Sequence, residues 1–368
     1  MHVIIFEFRQ ISFYANTIKK MKKSIIFANK IKTPGKTTGK RMNVKAIKTF
    51  IYILMLLPLV ANAQGGESAF NFLRLPYSSR VAALGGSNIS VIDDDLSLSM
   101  HNPALLINTS DKTIDLSFMT YMSGSNIAGA AFNKTFGDRS SGAVAMRYAD
   151  YGKFDGYTED NIYTGTFRAM DIELSVMYCY LLSERWSGGV SGKFIYSQYE
   201  SLNSLAIGVD LGLNYYNPDT DFSASLVFKN LGGQVMTFEQ KHELMPIDIQ
   251  LGFTKRLAHA PILISATLVN LHKWRAEDFY NADGSTDNFG EILLKHLVLG
   301  ADVLIGKNFY ASLGYNYRIG RELSAGGSKL DGFSIGAGLH IKRIKFGASF
   351  SKLHVSASSL LFNLAYSL

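Results

Sequence analysis

Three carboxylates stand side by side at Asp93, Asp94 and Asp95, and hard oxygen ligands of that kind suit Ca²⁺. The spacing is not that of an EF-hand loop, so a solvated or arginine-paired turn is the plainer expectation. The eight histidines offer less. His242, His259, His272, His296, His340 and His354 are scattered, and none belongs to an HExxH or similar zinc spacing. Hydrolysis would need a Ser/His/acid set converging at one rim, and the spacing points to none. The single cysteine, Cys179, excludes an internal disulfide and a cysteine-based metal cluster. Gly35 to Lys40 has a faint look of a phosphate-binding loop, without its spacing, its following Ser or Thr, or a preceding strand. One stretch is richer. Trp274, Asp278, Phe279, Tyr280, Asp283 and Asp287 make an aromatic and acidic segment that suits a protein partner, with an interfacial anchoring role for Trp274 as the alternative. No catalytic set, cofactor or metal is expected.

The elements that would position these residues follow from charge and periodicity. The chain of 368 residues has a formal charge of +7, which suggests nucleic acid until it is divided. Residues 1–63 hold 12 of the basic residues and one acid, leaving 25 basic against 29 acidic in the remainder. A basic patch on the folded domain, which nucleic-acid binding needs, is therefore not supported. From Met42 the chain reads as an export signal. Lys45 and Lys48 precede the apolar run Phe50 to Val60, and Ala61-Asn62-Ala63 is a small-x-small cleavage site. The mature chain is then expected to begin at Gln64, and no cysteine at that point supports a lipoprotein. Residues 1–41 do not fit before such a signal and are read as a mis-called upstream segment. Beyond residue 63 no apolar run approaches the roughly 20 residues of a membrane-spanning helix.

From about Lys112 onward the chain alternates with period two. Leu205, Ile207, Val209, Leu211, Leu213 and Tyr215 are separated by Ala206, Gly208, Asp210, Gly212 and Asn214. Successive strand side chains face opposite ways, so one face is apolar and the other small or polar. Met170 to Leu182 and Phe309 to Gly320 repeat the pattern. Runs of about ten residues exceed the soluble norm and match a tilted crossing of a bilayer. Lipid offers no partners to the backbone, so such a sheet must close into a barrel. About fourteen strands are expected between 112 and 368. The even-numbered connections are tight and the long ones (152–165, 231–244, 274–291, 321–330) all fall on the other side, which is the outer-membrane rule. The fold expected is all-β, an antiparallel outer-membrane barrel of about 14 strands.

Residues 64–111 lack this alternation. Ser78 to Ala83 could start a short helix stopped by Gly85-Gly86, while Asp93-Asp94-Asp95 and Asn102-Pro103 look like turns. A barrel of this size has a lumen to fill, and this segment is the expected hatch. Its wording, GGESAFNFLRLPYSSRVAALGG followed by DDD and HNPALL, resembles the amino-terminal region of PorQ-type outer-membrane proteins of the type IX secretion system. These are similar to PorV and belong with FadL-like hatched barrels. The sharp motifs lie in 65–106 and include Arg74, Arg80, Gly85, Gly86, Asp93, Asp94, Asp95, Asn102 and Pro103.

The resemblance implies a Bacteroidetes-type outer membrane, a role in exporting or anchoring cargo, and PorZ-like, PorU and PorV partners beside membrane lipid. It brings no catalytic residues. Two functions stay open: a secretion scaffold working through external loops, or a FadL-like channel for hydrophobic small molecules. The inward-facing positions are largely Gly, Ser, Asn, Asp and Ala, which leans towards the scaffold.

Overall fold

The structure is a computed structural model, and it describes the chain except residues 1–68, 123, 158–159, 161, 239–241, 280–285, 307, 324–330 and 355–356. The export signal, the upstream segment, Tyr280 and Asp283 lie outside the described residues.

Fourteen strands follow one another: β1 (Thr113–Thr120), β2 (Asn126–Thr135), β3 (Ser140–Tyr157), β4 (Tyr163–Ser183), β5 (Trp186–Tyr199), β6 (Leu202–Asn217), β7 (Phe222–Met236), β8 (Asp248–Arg256), β9 (Ile262–Leu268), β10 (Leu297–Ile305), β11 (Phe309–Asn316), β12 (Phe333–Ile341), β13 (Ile344–His354) and β14 (Ala357–Ser367). Each pairs antiparallel with its neighbours in sequence, and β1 pairs with β14 to close the barrel. Closure satisfies the backbone with no free edge, the condition for a sheet in lipid. The outward face is apolar. Leu174, Val176, Tyr178 and Tyr180 on β4 are exposed, while Asp171, Glu173, Ser175 and Cys179 between them are buried in the lumen. On β14 Leu360, Phe362, Leu364 and Tyr366 face out, and Leu361, Asn363 and Ala365 face in. No described helix is long and apolar enough to cross a membrane; the strands do the crossing.

The two ends differ as the outer-membrane rule requires. One carries the turns 136–139, 184–185, 218–221, 257–261, 306–308 and 342–343; the other carries 237–247, 269–296 and 317–332. We take the first end as periplasmic. Four stretches depart from the expected bounds. Residues 231–236, expected to open the loop 231–244, continue β7 to Met236. Most of the expected loop 152–165 is strand, because β3 and β4 continue past a bulge at Asp150/Lys153 as a projecting hairpin. Residues 292–295, expected to open a strand, instead finish a helix, α3 (Phe289–Lys295), started by a reciprocal cap between Asn288 and Glu291. Tyr317 to Gly320, expected to end a strand, belongs to helix α4 (Tyr317–Leu323), where the Ile319 N–H donates to Asn316 Oδ1 at 3.2 Å. Four alternating residues are compatible with either period, so the cap decided.

Inside the barrel, 69–111 form four short pieces: a 3-10 turn (Asn71–Arg74), helix α1 (Ser79–Ala83), helix α2 (Leu96–Ser99) and a 3-10 helix (Pro103–Asn108). Ser78, Asp95 and Asn102 each turn a side-chain oxygen to a free N–H at the start of the next piece. Gly85 and Gly86 have φ of 96° and 84°, left-handed backbone that ends α1 and turns the chain. α1 packs on β11 to β14, α2 on β1 and β2, and the 3-10 helix on β3 to β6. The core of the molecule is thus this segment against the inner wall.

Candidate functional site

The inward glycines explain how a peptide fits in the lumen. A methyl group on Gly314 would lie 2.0 Å from the Gly85 nitrogen, on Gly189 2.3 Å from the Pro103 carbonyl carbon, and on Gly212 2.2 Å from Asn102 Oδ1. Gly252, Gly300, Gly336 and Gly347 meet Ile89, Leu84, Ala83 and Ser79 in the same way. Backbone can approach backbone this closely only where there is no Cβ. The small inward residues are therefore a cradle for the hatch, and the lumen they line is occupied.

Polar contacts lock the hatch in. On the β10–β14 side Ser334 Oγ donates to the Ala83 carbonyl at 2.8 Å and accepts from the Gly85 N–H at 2.9 Å. Asn316 Nδ2 donates to the Gly85 carbonyl, and Asn363 Oδ1 accepts from the Ser79 N–H at 2.6 Å. Arg80 is the hub. Its guanidinium holds Asp302 through two nitrogens at 3.0 and 2.8 Å, pairs with Asp93, and lies 4.4 Å from the centre of the Tyr310 ring. Burial works against its charge, yet Asp302 and Asp93 more than offset this, so its pKa is raised.

On the β3–β8 side the locks are ion pairs. Arg147 holds Glu173 at 2.7 Å and donates to the hatch carbonyl of Leu75 at 2.9 Å. Lys193 sits 2.7 Å from Asp210 and 3.7 Å from Glu173, and donates to Asn230 Oδ1. Asp171 accepts from the hydroxyls of Tyr151 and Tyr199. Ser187 Oγ and Cys179 Sγ both donate to the Ala104 carbonyl, so Cys179 is a buried packing residue.

The aspartate triplet is divided among three tasks. Asp93 pairs with Arg80; Asp94 takes Lys345 at 2.7 Å and two donors from Ser110; Asp95 caps α2 through the Ser97 N–H at 2.9 Å. Burial raises the pKa of Asp94, but Lys345 and Ser110 outweigh it and the net shift is downward. Burial dominates at Asp95 and raises it. These side chains border a vestibule of about 510 Å³ at the periplasmic mouth, with Arg80, Asp115, Asp221 and Arg256. Among the described residues no three His, Cys, Asp or Glu side chains converge to hold a metal. Asn102 accepts from the Ala104 N–H and donates to the Ile89 carbonyl, and Pro103 opens the 3-10 helix. Arg74 is exposed at the end of the first turn.

His101, which the histidine survey passed over, is a structural acceptor. It is buried, and its Nε2 receives the N–H groups of Tyr77 and Ser78 at 3.2 and 3.3 Å. Burial first, then the cations Lys229, Arg147 and Lys193, push its pKa well below 6.5, so it stays neutral. The remaining described histidines are dispersed: His242, His259 and His272 are exposed, and His340 is half-buried at the periplasmic rim.

The outer third of the lumen is not small and polar. Phe70, Phe72 and Leu73 of the hatch pack with Met119, Ile127, Ile195 and Met245 into a filled apolar cluster. Above it, the described residues of 269–296 form a built loop. Lys295 and Asp287 are buried and paired at 2.5 Å, and His296 lies under Trp274 and Phe279 at ring distances of 4.4 and 5.4 Å. Phe279 and Asp287 are thus inside the loop, and Asp278 closes its own turn on the Arg275 N–H. Trp274 stays partly open beside Phe289, which is 71% exposed. The loop's outer face is Trp274, Phe289, Leu293 and Leu294, the last three of which the aromatic–acidic reading did not single out.

No family model matches the chain, and no curated protein does. Solved structures do. The CymD monoaromatic hydrocarbon channel aligns with a TM-score of 0.50 at 12% identity over 81% of this chain and 98% of its own. The toluene transporter TbuX of Ralstonia pickettii aligns at 0.49 and 14% identity, over 80% and 98%. A FadL homologue of Pseudomonas aeruginosa aligns at 0.46 and 10%, over 79% and 98%. The fold is a closed fourteen-strand antiparallel barrel, shared with the CymD channel, with its lumen filled by the segment that precedes the first strand.

Proposed function

We propose that this barrel is a scaffold at the outer membrane, in the setting of type IX secretion, holding soluble partners through its external loops. PorZ-like, PorU and PorV proteins are the partners proposed. The observation that carries the reading is the lumen. Its middle is crossed by the paired charges of Arg147, Glu173, Lys193 and Asp210, and glycines clasp the hatch backbone. An apolar solute would have to pass a belt of charges, and desolvating them without new partners is costly. The wording of 65–106 adds its resemblance to PorQ-type proteins.

The second reading is a channel for hydrophobic small molecules, and the solved neighbours lean to it. CymD is a hydrocarbon channel, and at 12% identity it shares the fold. The apolar cluster under the outer loops also favours this reading.

Shortening 274–291 to a tight turn is expected to leave a heat-modifiable, membrane-inserted barrel while partner retention and surface attachment of cargo are lost. A substitution such as Gly314→Trp cannot serve as a plug, since it would strike the Gly85 backbone and expel the hatch. A lock serves instead. A Cβ on Gly347 lies 3.6 Å from that of Ser79, within disulfide reach, so Ser79→Cys with Gly347→Cys staples the hatch to the wall. The scaffold predicts unchanged cargo attachment in the stapled form. Loss of growth on an apolar solute on stapling, with cargo attachment indifferent to the loop, would reverse the choice.

A further inference from the structure

The periplasmic rim is uneven in charge. Beside the seam, where β14 meets β1, five cations are exposed: Lys112, Lys134, Arg139, Lys342 and Arg343. Among the described residues none of them forms an ion pair. Elsewhere on this rim Arg185 is held by Asp219 at 2.8 Å and Lys345 by Asp94 at 2.7 Å. The side-chain acids of the seam arc are Asp111 and Asp138, and Asp111 accepts from the Thr135 N–H. Positive charge is in excess there even with the main-chain carboxylate at Leu368 counted.

The ladder fixes their order. The Ser367 N–H donates to the Arg343 carbonyl, and the Leu368 N–H to the Lys112 carbonyl. Lys112 lies between Asp111, which takes the Thr135 N–H, and Thr113, whose N–H donates to Asn133, so it stands beside Lys134 on the next strand. Like charges so placed repel. The backbone carries an independent sign. Lys112 and Lys342 both have φ of 53°, left-handed backbone that suits Gly or Asn and strains lysine. A lysine in that conformation at two places on one arc points to a use for its ammonium.

One step into the membrane the arc is wholly apolar. Ile344, Tyr366, Ile114, Phe132 and Val144 form a continuous cross-strand row, and all five are exposed. Nearer the turns, Phe136 lies on the outer wall over Gly142, where a Cβ would meet its ring at 2.9 Å, and Arg139 sits 5.8 Å from the centre of the Tyr180 ring. Aromatic rings at strand ends mark the membrane interface. The cations therefore stand at headgroup depth, and the row beside them sets their neighbours: acyl chains lie on Ile114 and Phe132, so the polar ends of the same lipids meet the lysines.

We propose that the seam arc binds an anionic phospholipid of the periplasmic leaflet. Lys112 and Lys134 share its phosphate, which turns their repulsion into two charge-assisted contacts. Lys342, Arg343 and Arg139 flank it. A net anionic headgroup fits this arc better than a zwitterionic one, whose own ammonium the surrounding cations would repel.

The test is native mass spectrometry of the whole chain in mild detergent, with dioleoyl phosphatidylglycerol and dioleoyl phosphatidylcholine added in turn. A lysine near an anionic headgroup is worth about fivefold in affinity, so wild type is expected to hold the glycerol lipid roughly 25-fold better. Lys112→Gln with Lys134→Gln should lose most of that preference. Lys153 and Arg168, which face each other across β3 and β4 at the outer end, are the control, and replacing both by Gln should change nothing. Lys112→Asn sharpens the test. Asparagine tolerates left-handed backbone, so this variant should resist urea at least as well as wild type while losing about fivefold of the lipid preference. A lysine that serves only the fold would lose stability and leave lipid binding intact, which would overturn the proposal. Heat modifiability reports folding, and if the double variant is not folded Lys112→Asn alone decides. Equal binding of the two lipids by wild type also overturns it, as does an unchanged preference in the variants. Complete displacement of the lipid by inorganic phosphate would make the arc a site for the free ion and equally overturn it.

Discussion

The two walls of the lumen hold the same hatch by different physics. From β10 to β14 the wall is small: Gly300, Ser312, Gly314, Ser334, Gly336 and Gly347, with Asp302 as its buried anchor for Arg80. From β3 to β7 it is charged, with Arg147, Glu173, Lys193 and Asp210 paired to one another. The small wall grips by contact and tolerates no added volume. The charges of the other wall grip mainly one another; of the four only Arg147 bonds the hatch, at the Leu75 carbonyl, and the rest of that wall's hold is Ser187 and Cys179 on the Ala104 carbonyl with Gly189 and Gly212 against Pro103 and Asn102. A rigid contact surface and a self-satisfied polar belt should respond differently to substitution, and three experiments separate them.

The largest effect is expected on the charged wall. Arg147→Ala leaves Glu173 buried with only Lys193 and Ser175 near it, and breaking such a pair costs about 3–5 kcal/mol. Urea unfolding in detergent would measure it. Replacing both partners, as Arg147→Met with Glu173→Leu, should recover most of the loss, because the penalty is the orphaned charge. If the double variant is no better than the single, the belt is held by the hatch and the contrast between the walls is wrong.

On the small wall, Gly314→Ala or Gly336→Ala forces a methyl into hatch backbone or Ala83, and overpacking of this kind costs about 1–3 kcal/mol. Gly208→Ala on β6 meets the end of Met245 at 3.4 Å and Asn230 and Lys193 at 4.0 Å, ordinary contacts, and should stay within about ±0.5 kcal/mol. Limited proteolysis of the hatch would rank the three. Equal protection in all would mean the glycines are incidental.

The smallest effect is a pH dependence at the hatch. His101 is neutral in the fold with its pKa far below the unfolded 6.5, so its stabilisation is complete above that value. It falls as pH drops, at up to about 1.4 kcal/mol per pH unit, because the unfolded chain takes up the proton first. The protection factors of the Tyr77 and Ser78 amides, taken against the intrinsic exchange rate at each pH, should fall between roughly pH 7 and 5 on this account. His101→Gln, which keeps an acceptor, should flatten the profile; an unchanged slope would assign it to carboxylates instead.

Much of this architecture was legible because a side-chain period of two is hard to mimic over ten residues. Leu205 to Tyr215 alone fixed a face, and repetition gave the strand count. Ser78 and Gly85 bracketed α1 because a cap and a left-handed glycine are local chemistry. Asn288 and Glu291 carried the same kind of signal for α3, but Leu293 and Leu294 drew the reading towards strand. The charged belt was half legible. Arg147, Glu173, Lys193 and Asp210 all have inward parity, which marks charges to be paired, but which pairs with which depends on register between strands. The cross-strand meeting of Lys153 and Arg168 depends in addition on a bulge, and no periodicity announces one.

Asn363 bears on how the molecule is assembled. Its Oδ1 receives the Ser79 N–H across 284 residues of chain, and its Nδ2 donates to Asp115 of the first strand across 248. One side chain on the last strand thus joins hatch and seam. Pairings so distant in sequence carry a high entropic barrier and form late. The final zipping of β14 onto β1 and the capture of the hatch are then expected to be coupled, without an empty closed ring as an intermediate. In pulse-labelled cells, a chain without 65–111 should therefore dwell in the open, heat-sensitive form rather than mature faster for having less to fold.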